Sequence, residues 1–90
     1  MGDLSKLPNI GAICEKRLIR VGIKSTEDLK RIGSREAFIK LYLSEEDTCF
    51  NTLCALEGAI QGKRWHDLSD EERADLKKIY IEVTKNIKED

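Results

Sequence analysis

Helix-ending signals at intervals along the chain are the feature that most constrains how it can fold. Gly22, Gly33 and Gly62 each close a stretch in which apolar residues recur every three or four positions, the spacing of one face of an α-helix. A glycine in the left-handed conformation is a common way for a helix to end. The sequence therefore predicts short helices joined by short turns, with positive φ angles at these three glycines.

Helix-starting signals complement these ends. Ser25 with Asp28, and Ser69 with Glu72, have the spacing of a capping box, in which a serine hydroxyl and an acidic side chain satisfy backbone N–H groups at a helix start. The run Ser44-Glu45-Glu46-Asp47 is predicted to end a third helix and to place negative charge at the start of a fourth, where the helix dipole favours it.

The composition agrees with a small helical domain. Pro8 is the only proline, and the 40% apolar and 37% charged residues are an ordinary balance for a globular protein. We predict an all-α fold over residues 1–90: one domain, a compact orthogonal bundle of about five short helices. No stretch approaches the ~20 apolar residues that span a bilayer, and no signal-peptide pattern opens the chain. We expect a cytoplasmic protein without a membrane partner.

Catalysis, metals and cofactors are disfavoured by the reactive residues present. His66 is the only histidine, and Cys14, Cys49 and Cys54 lack the spacing of a zinc site. The three cysteines lie in apolar stretches, which predicts reduced, buried and unreactive thiols. No glycine-rich phosphate loop of a nucleotide-binding enzyme occurs. We predict that the protein is not an enzyme and has no cofactor or metal.

The most specific local pattern lies at 7–11, where the sequence reads Leu-Pro-Asn-Ile-Gly. It resembles the turn of a helix-hairpin-helix motif, which leads into a helix. Such a helix start suits a phosphate, because its first N–H groups have no partner within the helix and the dipole attracts an anion. These hairpins usually have glycine where Asn9 stands; asparagine tolerates a left-handed backbone, but its side chain would hinder close approach.

This interpretation predicts a set of contacts to a phosphate backbone, made by the backbone of the turn and by the basic side chains that follow it. The candidate residues are Asn9, Gly11, Ala12, Ile13, Lys16, Arg17 and Arg20. The alternative is that the turn is only a structural helix start, docked through Leu7 and Ile10.

Charge is distributed unevenly. Residues 1–40 hold nine Lys or Arg against five Asp or Glu, and residues 41–90 hold seven against twelve. The basic half favours an anionic partner such as nucleic acid. The overall acidity, with a pI near 5.9, instead favours a protein–protein module that associates with a protein partner or with itself as a homo-oligomer. The positions of six basic residues distinguish the two partners: on one face beside the hairpin they would favour nucleic acid, and scattered they would favour a protein. They are Lys16, Arg17, Arg20, Lys24, Lys30 and Arg31.

A wider set of motifs occurs in a fixed order. It comprises Leu7-Pro8-Asn9-Ile10-Gly11, Gly22-Ile23, Leu29, Gly33, Ala37-Phe38, Asn51, Ala55-Leu56-Glu57-Gly58-Ala59, Gly62 and Trp65-His66-Asp67-Leu68. This order resembles the C-terminal domain of the TfoX (Sxy) competence-regulator family over about residues 7–80. The Ala-Leu-Glu-Gly-Ala block, with a tryptophan six residues after it, is the most specific part.

The resemblance implies a helical fold of the helix-hairpin-helix or SAM-like kind. It also implies a regulatory role, since in that family the domain is often attached to a separate N-terminal domain and the full protein promotes transcription of competence genes. Trp65 is predicted to be a core plug between the last two helices, and the alternative is an exposed platform for stacking.

Overall fold

Four α-helices and two short 3-10 helices make up the part of the chain that the structure, a computed structural model, describes: residues 3–44 and 49–88. The α-helices are α1 (Ala12–Arg20), α2 (Thr26–Ser44), α3 (Phe50–Gln61) and α4 (Asp70–Lys88). The 3-10 helices are Leu4–Lys6 and Trp65–Asp67. No strand occurs within these ranges, so the predicted all-α class is confirmed. Ser44, the first residue of the predicted break at 44–47, is the last residue of α2, and the rest of that break lies outside the described residues.

The predicted helix ends are confirmed, with one change in the helix count. Gly22 (φ 94°), Gly33 (φ 86°) and Gly62 (φ 78°) all have positive φ. Gly62 ends α3 in the left-handed conformation. Gly33, with ψ 165°, has non-helical backbone angles and separates two helical segments within α2, as predicted. The two predicted helices on either side of Gly33 correspond to these two segments of one kinked element.

Both predicted serine caps form. Ser69 and Glu72 make the reciprocal bonds of a capping box, whereas the Asp28 carboxylate accepts the Lys24 N–H. The backbone N–H of Asp28 donates to Ser25 Oγ at 3.1 Å, and the N–H of Glu72 donates to Ser69 Oγ at 3.0 Å. The α2 start is held further by Asp3, whose carboxylate accepts the Thr26 N–H at 2.7 Å. The starts of α2 and α4 thus have side-chain oxygens in place of the missing intrahelical acceptors.

One apolar cluster connects all four α-helices and the first 3-10 helix. Leu4, Leu18, Leu29, Phe38 and Leu53 are fully buried in it. The most extensive helix–helix contact is between α2 and α3. The Cα radius of gyration of 12.2 Å is what a compact domain of this length has, which confirms the compact bundle.

Two burial predictions were wrong. Cys49 is exposed, because α3 begins at Phe50 and Cys49 is its N-cap, so the helical periodicity that predicted its burial does not apply to it. Trp65 keeps 38% of its surface exposed. The residue of that loop that enters the core is Leu68, three positions later.

Candidate functional site

An open groove of about 710 Å³ lies where the starts of α1 and α3 approach the loop that carries Trp65. It is lined by Asn9, Gly11, Ala12, Ile13, Cys14, Arg17, Asn51, Thr52, Ala55, Arg64 and Trp65. We call it the α1–α3 groove. Its lining combines apolar side chains with two arginines, and among these described residues none is acidic.

The first wall of the groove is the start of α1. Gly11 is the N-cap in an extended conformation, and no side chain caps the helix. Gly11, Ala12 and Ile13 are exposed, and Ile13 retains 77% of its surface. The first-turn N–H groups, which no carbonyl of the helix can reach, therefore point to a site open to solvent.

The second wall is the start of α3. Its N-cap, Cys49, makes no side-chain cap hydrogen bond, and its Sγ lies 3.8 Å from the Thr52 hydroxyl. Partial burial acts to raise the pKa of the Cys49 thiol, but the N–H and hydroxyl of Thr52 and the N–H of Asn51 outweigh it, and the pKa is lowered. A helix start that favours a thiolate is one that favours negative charge.

Asn9 fixes the geometry of the groove from beneath. Its φ of 70° is left-handed, as glycine would allow at this position. Its Nδ2 donates to the carbonyls of Ala55 (3.3 Å) and Lys63 (3.1 Å), and its Oδ1 accepts the N–H of Trp65 (3.1 Å). The side-chain amide of Asn9 therefore makes its hydrogen bonds within the protein. A ligand in the groove would contact Asn9 through its backbone.

Gly58 explains why this arrangement needs the Ala-Leu-Glu-Gly-Ala block. A Cβ at Gly58 would lie 2.7 Å from both Asn9 Nδ2 and the Lys63 carbonyl, closer than real Cβ contacts come. Asn9 and the Lys63 backbone thus pack directly on the α3 backbone, and only glycine leaves room for them. This contact joins the turn before α1 to the end of α3.

The predicted basic residues of α1 are only partly in the groove. Ile13, Arg17 and Arg20 follow one another at helical spacing, with Lys16 beside them, so they share one side of α1. Arg17 lines the groove, whereas Lys16 and Arg20 are exposed and do not line it. The opposite side of α1 carries the buried Leu18.

Arg64 is a groove residue that the sequence analysis missed. It is exposed and precedes the second 3-10 helix, 53 positions after Gly11 along the chain. No motif marked it, since its loop meets the start of α1 through contacts between residues far apart in the chain, among them the Asn9 hydrogen bonds.

Two arginines of α2 have acidic partners nearby. Arg31 pairs with Asp28 at 3.0 Å, and Arg35 lies 3.5 Å from both Glu36 and Glu82. The positive charge of Arg31 and Arg35 is therefore offset by neighbouring carboxylates.

The described residues give little support for a reactive thiol, a metal site or a membrane-spanning helix. Cys14 lines the groove, but burial raises the pKa of its thiol, which makes it a poor nucleophile. Within residues 3–44 and 49–88, no three His, Cys, Asp or Glu side chains are grouped as a metal site requires. No helix in the described ranges is long and apolar enough to cross a membrane.

Comparison with known proteins decides the family. The model of the TfoX C-terminal domain matches residues 1–80. The chain belongs to the TfoX C-terminal domain family. This confirms the resemblance carried by the hairpin, the Ala-Leu-Glu-Gly-Ala block and the tryptophan that follows it.

Two crystal structures of proteins from Listeria monocytogenes share the fold. One, a triclinic form of an uncharacterized protein, has a TM-score of 0.87 and 44% identity, and the match covers 90% of this chain and 92% of that chain. The other, a tetragonal form of a protein of unknown function, has a TM-score of 0.84 and 44% identity over 88% of this chain and 98% of that chain. A search of curated proteins finds no match.

Proposed function

We propose that this TfoX C-terminal domain is a non-enzymatic module that binds the phosphate backbone of nucleic acid in the α1–α3 groove. The observation that carries the proposal is that two helix starts without side-chain caps meet in one groove that also contains Arg17 and Arg64. We extend it to a role in transcription regulation in the cytoplasm, in keeping with the family and with the unpaired cysteines.

The electrostatics of the groove support an anion. Each helix start contributes the positive end of a dipole, and the first N–H groups of α1 have no acceptor within the helix. The planar guanidinium groups of Arg17 and Arg64 offer paired donors of the kind that phosphates accept. Because the whole chain is slightly acidic, long-range attraction to nucleic acid is weak, so affinity must come from this local patch.

A salt series with a fluorescently labelled DNA duplex tests the proposal. We expect dissociation constants of roughly 10⁻⁴–10⁻⁶ M, little dependence on sequence, and a slope of log affinity against log salt near −0.9 for each of about two to four phosphates. Arg64→Glu should lower both the affinity and the slope. Lys85→Glu is the matched control, since it makes the same charge change far from the groove. Lys85 lies on α4, about 18 Å along the helix from Arg73, whose guanidinium is next to Trp65.

A second variant separates a built site from diffuse attraction. Gly11→Leu keeps the net charge, and its side chain fits the fold because the Gly11 backbone is extended and no atom lies within 4 Å of a Cβ there. We expect weaker binding, because the leucine side chain covers the N–H donors. If duplexes and single strands alike fail to bind at about 50 mM salt and ~100 μM protein, the proposal is wrong. Sedimentation of the concentrated protein then tests the protein–protein alternative.

A further inference from the structure

The third wall of the α1–α3 groove is the aromatic ring of Trp65, which is held by its neighbours but remains partly exposed to solvent. Trp65 begins the second 3-10 helix, and its backbone N–H donates a hydrogen bond to the Asn9 side chain. His66 lies edge-on to the ring, with centroids 5.5 Å apart, and the Arg73 guanidinium lies 5.6 Å from the ring centroid. The ring is therefore positioned by its neighbours while 38% of its residue surface remains exposed.

Apolar surface continues across the groove from this ring. Ile13 is 77% exposed, and Ala12 and Ala55 also line the groove. The volume of about 710 Å³ lies within the ~300–1,000 Å³ typical of pockets that hold small organic groups. Phosphate recognition alone needs no such surface, so the groove has room and chemistry for a flat apolar group beside the anion.

We propose that the groove accepts an unpaired base of single-stranded nucleic acid, with the base against Trp65 and Ile13 and its phosphate at Arg17 and Arg64. This inference rests on the proposed function. It is favoured by charge complementarity, because two arginines flank an apolar floor and none of the described lining residues is acidic. In a duplex the bases are stacked on each other, so a duplex offers this groove only its phosphates.

The only tryptophan of the chain is itself the reporter for the test. Three labelled probes are titrated: a single strand of about 10 nucleotides, an abasic strand of equal length and charge, and a blunt duplex. We expect the single strand to bind at least about fivefold more tightly than the other two, since stacking on an aromatic side chain contributes about 5- to 150-fold per base. Trp65 fluorescence should be quenched by the single strand and not by the abasic one.

Two variants locate the effect. Trp65→Leu should reduce single-strand affinity to the level of the abasic strand, a larger loss than it causes in duplex binding. Ile13→Ser, at a position too exposed to affect folding, should reduce single-strand affinity less, and Leu43→Ser is its matched control at a 64% exposed position outside the groove.

The outcomes separate this inference from the proposed function. Equal affinity for all three probes, with salt dependence retained, would overturn base recognition and leave phosphate binding standing. Failure of all three probes to bind would overturn both. Binding of an acidic peptide in place of all three probes would likewise overturn both, in favour of a protein partner.

Discussion

The four α-helices of this domain begin in two different ways. The starts of α2 and α4 are closed by Ser25 and Ser69, whose hydroxyls accept first-turn N–H groups. The starts of α1 and α3 have Gly11 and Cys49 at the same position and no side-chain cap. A serine cap contributes about 1 kcal/mol relative to alanine and a few tenths of a kcal/mol relative to glycine. The two uncapped starts are the ones that share a groove, and under the proposed function a bound phosphate would take the place of the missing caps.

The largest expected effect concerns the residue that positions the uncapped start of α1. Asn9→Ala removes three hydrogen bonds and places alanine at a φ of 70°. We expect a loss of roughly 2–5 kcal/mol in the free energy of unfolding, from the unpaired groups and the left-handed backbone. Urea denaturation measures it. Asn9→Gly should cost less, because glycine tolerates the φ angle, and equal losses would show that the backbone conformation is not strained.

Gly58→Ala tests the same junction from α3. Its Cβ would lie 2.7 Å from Asn9 Nδ2 and from the Lys63 carbonyl, and such overpacking costs about 1–3 kcal/mol. One of these clashes disappears when Asn9 becomes glycine. The double variant should therefore lose less stability than the two single variants together. Strict additivity would contradict a direct contact between Asn9 and the Gly58 position.

A capped start should respond differently from an uncapped one. Ser69→Ala removes the acceptor of the Glu72 N–H and should cost about 1 kcal/mol in the free energy of unfolding. Because the start of α4 is not part of the groove, nucleic-acid affinity should not change. Reduced affinity in a folded Ser69→Ala protein would mean that the division between closed and open starts has no functional meaning.

The sequence predicted the closed starts and only part of the open ones. A capping box lies within four residues, so local chemistry determines it. The helical periodicity around Cys49 was misleading, since it holds only inside a helix and Cys49 lies just before one. The exposure of Trp65 and the location of Arg64 depend on Asn9, more than 50 positions away, and no local pattern carries that information. The all-α class needed none of these long-range contacts.

Thiol chemistry gives a smaller effect at the start of α3. The pKa of Cys49 is lowered and it is exposed, whereas burial raises the pKa of Cys14 and of Cys54. Because the thiolate is the nucleophile, Cys49 should be modified first by iodoacetamide in the folded protein, at a lower pH than the other two. Peptide mass spectrometry identifies the site. Slower modification of Cys49 than of Cys14 would show that the α3 start does not stabilise negative charge.

The smallest expected effect converts an uncapped start into a capped one. The Gly11 backbone is extended, as an N-cap requires, and a Cβ there meets no atom within 4 Å, so Gly11→Asp fits without strain. Aspartate caps slightly better than glycine and also complements the dipole, so we expect a gain of a few tenths of a kcal/mol in the free energy of unfolding. Nucleic-acid affinity should fall, because the carboxylate takes the N–H groups that a phosphate would use. Gly11→Asn caps without adding charge and separates the two causes: it should also stabilise the protein and weaken binding, but with an unchanged salt slope. If Gly11→Asn stabilises the fold and binding is unaffected, the α1 start is a structural feature alone, and the arginines carry whatever affinity remains.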